Sequence, residues 1–152
     1  MKAFLALIAL LVPAAALAAQ DVTINSAAFV ERQTKDASGA VQTVLEAPKV
    51  VTPGDHVVFV LTYKNGGGQT VTDFVINNPL PANVVYEGAQ GALPTVSVDG
   101  GKQWGDLAAL KIAQPDGTLR PAAPADVTHL RWSFKSIPAG QDGKLSFRGV
   151  VK

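Results

Sequence analysis

Large apolar side chains along this chain recur every second residue rather than every third or fourth, and that period commits it to strands. The clearest run is Thr128-His129-Leu130-Arg131-Trp132-Ser133-Phe134-Lys135. On an extended backbone Leu130, Trp132 and Phe134 share one face, while His129, Arg131, Ser133 and Lys135 share the other. That pattern predicts a half-buried strand with its large residues inward. Lys144 to Val151 repeats it, with Leu145 and Phe147 inward and Ser146 and Arg148 outward. His56 to Lys64 is apolar on both faces and rich in β-formers, which predicts a central strand. Val71 to Ile76, Val84 to Tyr86, Pro94 to Val98, Val22 to Val30 and Val41 to Leu45 bring the candidates to seven to nine.

Turn chemistry separates these runs. Ser38-Gly39, Thr52-Pro53-Gly54-Asp55, Asn65-Gly66-Gly67-Gly68, Asn78-Pro79-Leu80-Pro81, Asp99-Gly100-Gly101, Pro115-Asp116-Gly117 and Pro138-Ala139-Gly140 all fall between strands. With 14 glycines and 10 prolines placed as punctuation, the chain reads as many short strands. Asp106 to Ile112 has room for one helical turn, and Pro115 to Ala125 reads as a loop. Strands without βα alternation predict an all-β, immunoglobulin-like antiparallel β-sandwich.

The first residues follow a different logic. Lys2 precedes ten uncharged residues, Ala3 to Val12, then Pro13 and an alanine-rich stretch. A positive start, a short apolar run and a small-x-small site at Ala16-Leu17-Ala18 form the secretory pattern, with cleavage expected after Ala18. A spanning helix wants about twenty apolar residues, more than this run supplies before Pro13. No cysteine follows the run, which argues against a lipid anchor. Residues 19–152 are then expected to form one domain, periplasmic or secreted, with no membrane span.

Charge and cysteine bound the chemistry. The chain carries 13 Lys and Arg against 12 Asp and Glu, and losing Lys2 leaves the mature chain neutral. A neutral chain lacks the positive field that non-specific nucleic-acid binding needs. Cysteine is absent, which removes thiol nucleophiles, thiolate metal sites and disulfides together. The only histidines, His56 and His129, lie on different predicted strands, whereas a catalytic zinc site wants three protein ligands. No Gly-x-Ser-x-Gly elbow surrounds any serine. Ser133 and His129 are four apart on a strand, about 13 Å, too far to bond. With only Glu31, Glu46 and Glu87 as glutamates, a glycosidase carboxylate pair would need aspartates. No catalytic residue, metal ligand or cofactor is expected from this composition.

Two surfaces stand out. If the last two strands pair antiparallel, His129, Arg131, Lys135, Lys144 and Arg148 would form a basic outer strip suited to an anionic glycan; otherwise they form a solvated face. Ser97-Val98-Asp99-Gly100-Gly101-Lys102-Gln103-Trp104 fits Ser-x-Asp-x-Gly-x-x-Trp and resembles the Asp-box hairpin of sialidases and other propellers. One such box is far short of a propeller. Its expected role is a structural turn in which Asp99 accepts backbone N–H bonds and Trp104 packs back over the hairpin.

Four segments in order resemble a bacterial family. They are Val51-Thr52-Pro53-Gly54-Asp55 with the long strand ending Tyr63-Lys64-Asn65-Gly66-Gly67; Val75-Ile76-Asn77-Asn78-Pro79-Leu80-Pro81-Ala82; Trp132 with Ile137-Pro138-Ala139-Gly140; and Leu145-Ser146-Phe147-Arg148-Gly149-Val150-Val151. Together they resemble the surface-repeat domain known as domain of unknown function number eleven, over about Val50 to Lys152. Asn78 stands where that family has Asp, and one copy is present where members often carry arrays. The resemblance implies an immunoglobulin-like fold on exported or envelope proteins and transfers no catalytic residue. Asp21 to Lys49 lies outside it and is expected to add edge strands.

The expected function is a non-catalytic exported module, structural or adhesive, whose partner is an envelope protein or glycan. The alternatives are a small secreted hydrolase or metal-dependent enzyme on the same sandwich, and a subunit that self-associates by strand exchange through Asp21 to Val30.

Overall fold

The computed structural model describes residues 22–152. The apolar leader and the expected cut after Ala18 lie outside the described residues. Ten strands run β1 Val22–Lys35, β2 Val41–Glu46, β3 His56–Asn65, β4 Val71–Pro79, β5 Val84–Gln90, β6 Thr95–Ser97, β7 Lys111–Ala113, β8 Leu119–Pro121, β9 His129–Ile137 and β10 Asp142–Val151. All pairings are antiparallel. One sheet has the order β2-β1-β3-β10-β5, a second β4-β9-β6, and β7-β8 form a small ribbon. The fold is an all-β antiparallel sandwich.

The apolar run of β3 sits between β1 and β10, the position its two-sided hydrophobicity predicts. Its inward residues Val57 and Leu61 are buried, as are Leu145 and Phe147 on β10. Facing them from the smaller sheet are Ile76 on β4, Val96 on β6, and Leu130 and Trp132 on β9. Phe59 and Phe147, partners across β3 and β10, stack with centroids 4.7 Å apart. Tyr63 meets Phe134 across the sandwich at 4.8 Å, within the range of favourable ring pairs. The Trp132 indole N–H donates to the Ala92 carbonyl at 2.9 Å, so the buried ring strands no polar atom.

The last two strands do not pair. β9 lies in the small sheet and β10 in the large one, so the antiparallel pairing on which the basic strip depends does not form. The reason is the connection. Residues 138–141 cross from sheet to sheet, and Asn65 at the end of β3 ties that crossing down. Asn65 is fully buried. Its Nδ2 donates to the carbonyls of Ile137 (2.8 Å), Pro138 (3.1 Å) and Gln69 (2.8 Å), and its Oδ1 accepts from Gly67 N at 3.0 Å. Asn65 N also donates to Gln141 O, and Gly140 N to Asn65 O. One side chain thus clamps both crossings, β3 to β4 and β9 to β10.

Two three-residue strands that are not among the candidates bring the count to ten. β7 and β8 come from the stretches read as a helical turn and a loop; the helical turn is a 3-10 turn at Leu107–Ala109, and another occupies Pro124–Asp126. Arg120 on β8 forks onto Asp126 at 2.6 Å per arm, which holds this ribbon to the second turn.

β1 is long because it serves two neighbours. Val22 to Val30 pair with β3, and Val30 to Lys35 pair with β2. Past Val30 the β1–β2 pair runs on beyond the start of β3 as a two-stranded ribbon. Before Val30 the flank of β1 facing away from β3 carries no strand among the described residues. Of the segment outside the family resemblance, Val22 to Glu46 therefore supply edge structure at this side of the large sheet.

Candidate functional site

The five residues of the expected basic strip do not assemble. His129, Arg131 and Lys135 alternate on the outer side of β9, and Lys144 and Arg148 on the outer side of β10. The two sheets pack inner face to inner face, so these groups point to opposite sides of the sandwich. Two of them are also engaged. The Arg131 guanidinium lies 3.7 Å above the Trp104 ring, and its Nε donates to Asn77 Oδ1 at 2.7 Å. Arg148 donates to Glu31 Oε2 at 2.5 Å and approaches Glu87 at 3.6 Å.

The Ser97–Trp104 segment closes on itself. Asp99 Oδ1 accepts from Ser97 Oγ (2.8 Å) and from the amides of Lys102 and Gln103 (3.0 Å each). Gly101 N donates to Ser97 Oγ at 2.9 Å, and the Trp104 indole N–H donates to Gly101 O at 2.9 Å. Gly100 and Gly101 both hold positive φ, which the turn requires and a side chain would oppose. Those amides, the Gln103 N–H foremost and then the Ser97 hydroxyl, hold the Asp99 carboxyl below its usual range. Trp104 is covered by Arg131 on one face and meets His129 edge-on at 6.2 Å. The ring is thus committed to the hairpin rather than presented as an open platform.

The two histidines stay apart. His56 Nδ1 lies 2.8 Å from Glu87 Oε2 on the large sheet, and His129 Nδ1 lies 3.0 Å from Thr128 Oγ1 on the small one. Among the described residues no three His, Cys, Asp or Glu side chains cluster closely enough to hold a metal ion. The aspartates lock turns. Asp36 caps its hairpin through the Ser38 hydroxyl and the Ser38 and Ala40 amides. Asp55 is held well below the usual carboxylate range, first by the Arg32 guanidinium and then by Thr52. Asp126 is lowered to about 2 by Arg120 and the Ala123 amide, and Asp116 is lowered by Thr118. Carboxylates held ionised in this way are poor proton donors near neutral pH.

The surface that the sequence did not single out is the β1–β2 ribbon. Its turn is fixed by Asp36 and by Gly39 at φ 86°. Its base is fixed by Arg32, which forks onto Asp55 at 2.6 and 3.2 Å and reaches Val50 O at 3.3 Å. Between these anchors Val41 is 61% and Leu45 50% exposed on one face of β2, and Val50 in the following loop is 70% exposed. Period-two alternation at Val41, Thr43 and Leu45 would predict an inward apolar face. The register instead turns them outward: Glu46 pairs with Val30, which faces the core, so Val41, Thr43 and Leu45 share the outer face with their partners Lys35, Gln33 and Glu31. A hollow of about 190 Å³ beneath the ribbon, lined by Val30, Arg32 and Glu46 to Val50, is smaller than sites that enclose small ligands.

β1 is not detached from its own sandwich: every residue from Val22 to Val30 is in register with β3. Among the described residues no helix is long and apolar enough to cross a membrane. The chain matches no protein-family model, no curated protein and no solved structure.

Proposed function

We propose that this chain is an exported, non-catalytic envelope or secreted module, structural or adhesive, that grips a partner protein with its β1–β2 ribbon. The observation that carries the reading is the exposed pair Val41 and Leu45 on the outer face of a ribbon anchored at both ends. Rigidly held apolar side chains outside any core are the usual mark of a protein-binding surface. A protein suits this surface better than a glycan, because sugar recognition favours an open aromatic face and Trp104 is covered by Arg131. The leader at residues 1–18 and the resemblance to domain of unknown function number eleven support export. The Thr52–Asp55 turn and the Asn65 crossing, two segments of that resemblance, are both closed by side-chain hydrogen bonds.

The test is capture from envelope fractions by the purified chain and by a Val41→Asp, Leu45→Asp variant. Binding by the parent chain that the variant loses, with unchanged melting, is the expected result. Equal capture by both would remove the ribbon from the reading. N-terminal sequencing of the accumulated protein tests cleavage after Ala18 at the same time.

A further inference from the structure

The flank of β1 that faces away from β3, from Val22 to Phe29, carries no strand among the described residues. Edge strands are normally guarded by charge, proline, a bulge or short length, because their unpaired backbone groups invite another strand. β4 carries Asp73 at φ 52° and ends in Pro79. β5 slips register opposite Arg148 and Gly149. β6 is three residues long and β2 six. The flank from Val22 to Phe29, sequence VTINSAAF, has none of these devices: no charge, no proline, no glycine and unbroken register with β3. It is bounded at one end by β2, whose last residue Glu46 pairs with Val30. The result is a notch eight residues long, walled at one end and open at the other.

We infer that this notch takes a second copy of itself, joining two large sheets through antiparallel β1–β1 pairing. A two-fold axis that makes adjacent antiparallel strands equivalent must stand normal to the sheet, so both inner faces stay on one side. Paired residues then share a face, and since faces alternate along a strand, their numbers must sum to an even value. Pairing Val22 with Val30 is blocked, because Glu46 already occupies that side of Val30. Two registers pair seven residues within the notch; centring on Ser26 drives Val22 against Glu46, whereas centring on Asn25 against Asn25 of the second copy keeps Val22 inside the notch. The Asn25-centred register sets Val22 opposite Ala28, Thr23 opposite Ala27 and Ile24 opposite Ser26. The wall at β2 of each copy then abuts the open end of the other, as in a half-lap joint.

This register also accounts for Ile24. Its Cα partner on β3 is Tyr63, which faces inward, yet Ile24 is 44% exposed. The three-stranded sheet is too narrow to cover β1. In the dimer the two Ile24 side chains become diagonal neighbours on the inner face, within reach of one another. Seven paired residues per strand supply about seven inter-strand hydrogen bonds, within the range of a specific interface.

The absence of native cysteine makes the test direct. The chain is expressed from its first residue, purified in the form that accumulates, and its mass followed against concentration by light scattering. The expected species is a dimer. Asn25→Cys should join under oxidation or a short thiol crosslinker, because that position meets itself at the axis. Thr62→Cys, the cross-strand partner of Asn25, should not, since its copies lie about 14 Å apart across three strand spacings. Asn25→Asp sets two like charges opposite one another and should raise the dissociation constant about fivefold. Asn25 is exposed, so the substitution leaves folding intact. A monomer at all concentrations, crosslinking at Thr62→Cys as fast as at Asn25→Cys, or a dimer indifferent to Asn25→Asp would each overturn the inference. A dimer lost in the Val41→Asp, Leu45→Asp variant but kept in Asn25→Asp would assign the contact to the ribbon instead.

Discussion

Replacing Asn65 by alanine removes the side chain that clamps both crossings between the sheets. Its two Nδ2 protons serve three carbonyls, and its Oδ1 serves Gly67 N. The bond to Ile137 O is buried, so that carbonyl loses its partner where water does not readily follow, at about 1–3 kcal/mol. The contacts to Gln69, Pro138 and Gly67 are only partly buried, so water can replace part of them, and about 1 kcal/mol is lost between them. The total is about 3 kcal/mol, a large share of the 5–15 kcal/mol that holds a typical domain. For a chain of this size that corresponds to a fall of about 10 °C in melting temperature. Urea unfolding of both proteins, followed by tryptophan fluorescence, measures the difference. Asn65→Asp sharpens the test. An ionised carboxylate aimed at three carbonyls is repelled, so the native state would keep it protonated and its pKa would rise above the unfolded value. Its stability relative to Asn65→Ala should then be greatest in acid and fall as pH rises through that raised pKa. An Asn65→Ala protein within about 0.5 kcal/mol of the parent would refute the clamp, since ordinary surface changes fall in that band.

Two further outcomes follow from side chains already described. Asp126 is held at about 2 by Arg120, below its unfolded value, so it stabilises the fold above about pH 4 and that contribution disappears as pH falls toward 2. Acid titration of stability should show a shallower loss in this window for Asp126→Asn than for the parent, and an unchanged slope would sever the link. Gly149→Ala would place a Cβ 2.8 Å from the Val85 carbonyl at the β5–β10 register slip, where backbone must move; a loss of about 1–3 kcal/mol in thermal unfolding is expected. Gly143→Ala meets only the far end of the Tyr63 ring, which can swing aside, and should cost less; equal losses would contradict this contrast.

What the sequence makes legible is whatever a single strand determines alone. Leu130, Trp132, Leu145 and Phe147 all lie buried on the faces that alternation assigns. Alternation fixes which way a side chain points but not which strand lies beside it. β9 and β10, linked by Pro138-Ala139-Gly140-Gln141, look like a hairpin on local grounds and belong to different sheets. The deciding residue is Asn65, far away in sequence and read there only as turn chemistry. The ribbon escapes for a related reason. Val41 and Leu45 carry an inward signature, and only the long-range register, which sets Glu46 rather than Leu45 beside the core-facing Val30, turns them outward. The Ser97–Trp104 turn, by contrast, takes the bonds of Asp99 and of the Trp104 indole from within itself, with Thr128 and Arg131 added from outside, which is why its chemistry can be read from eight consecutive residues.

The exposed inner face at the β1 edge traces to a mismatch, five strands packed against three. A sandwich closes when its two sheets are equally wide; here the second sheet stops short and β1 and β2 overhang it. An overhang could be made harmless with polar inward residues. On its first half β1 instead presents Val22, Ile24 and Ala28 inward, while on the ribbon β2 presents Val41 and Leu45 on the outer face. Two charges of the ribbon, Glu31 and Arg32, are drawn into ion pairs with Arg148 and Asp55 at its root, and Lys35 and Glu46 stand at the ends of the β1–β2 pairing. Those pairs stiffen the junction between sandwich and ribbon, so the apolar residues beyond it are held in place rather than free to fold back. A rigid apolar overhang with an uncharged, unbroken strand beside it combines the two features that a folded protein has most reason to avoid unless another chain covers them.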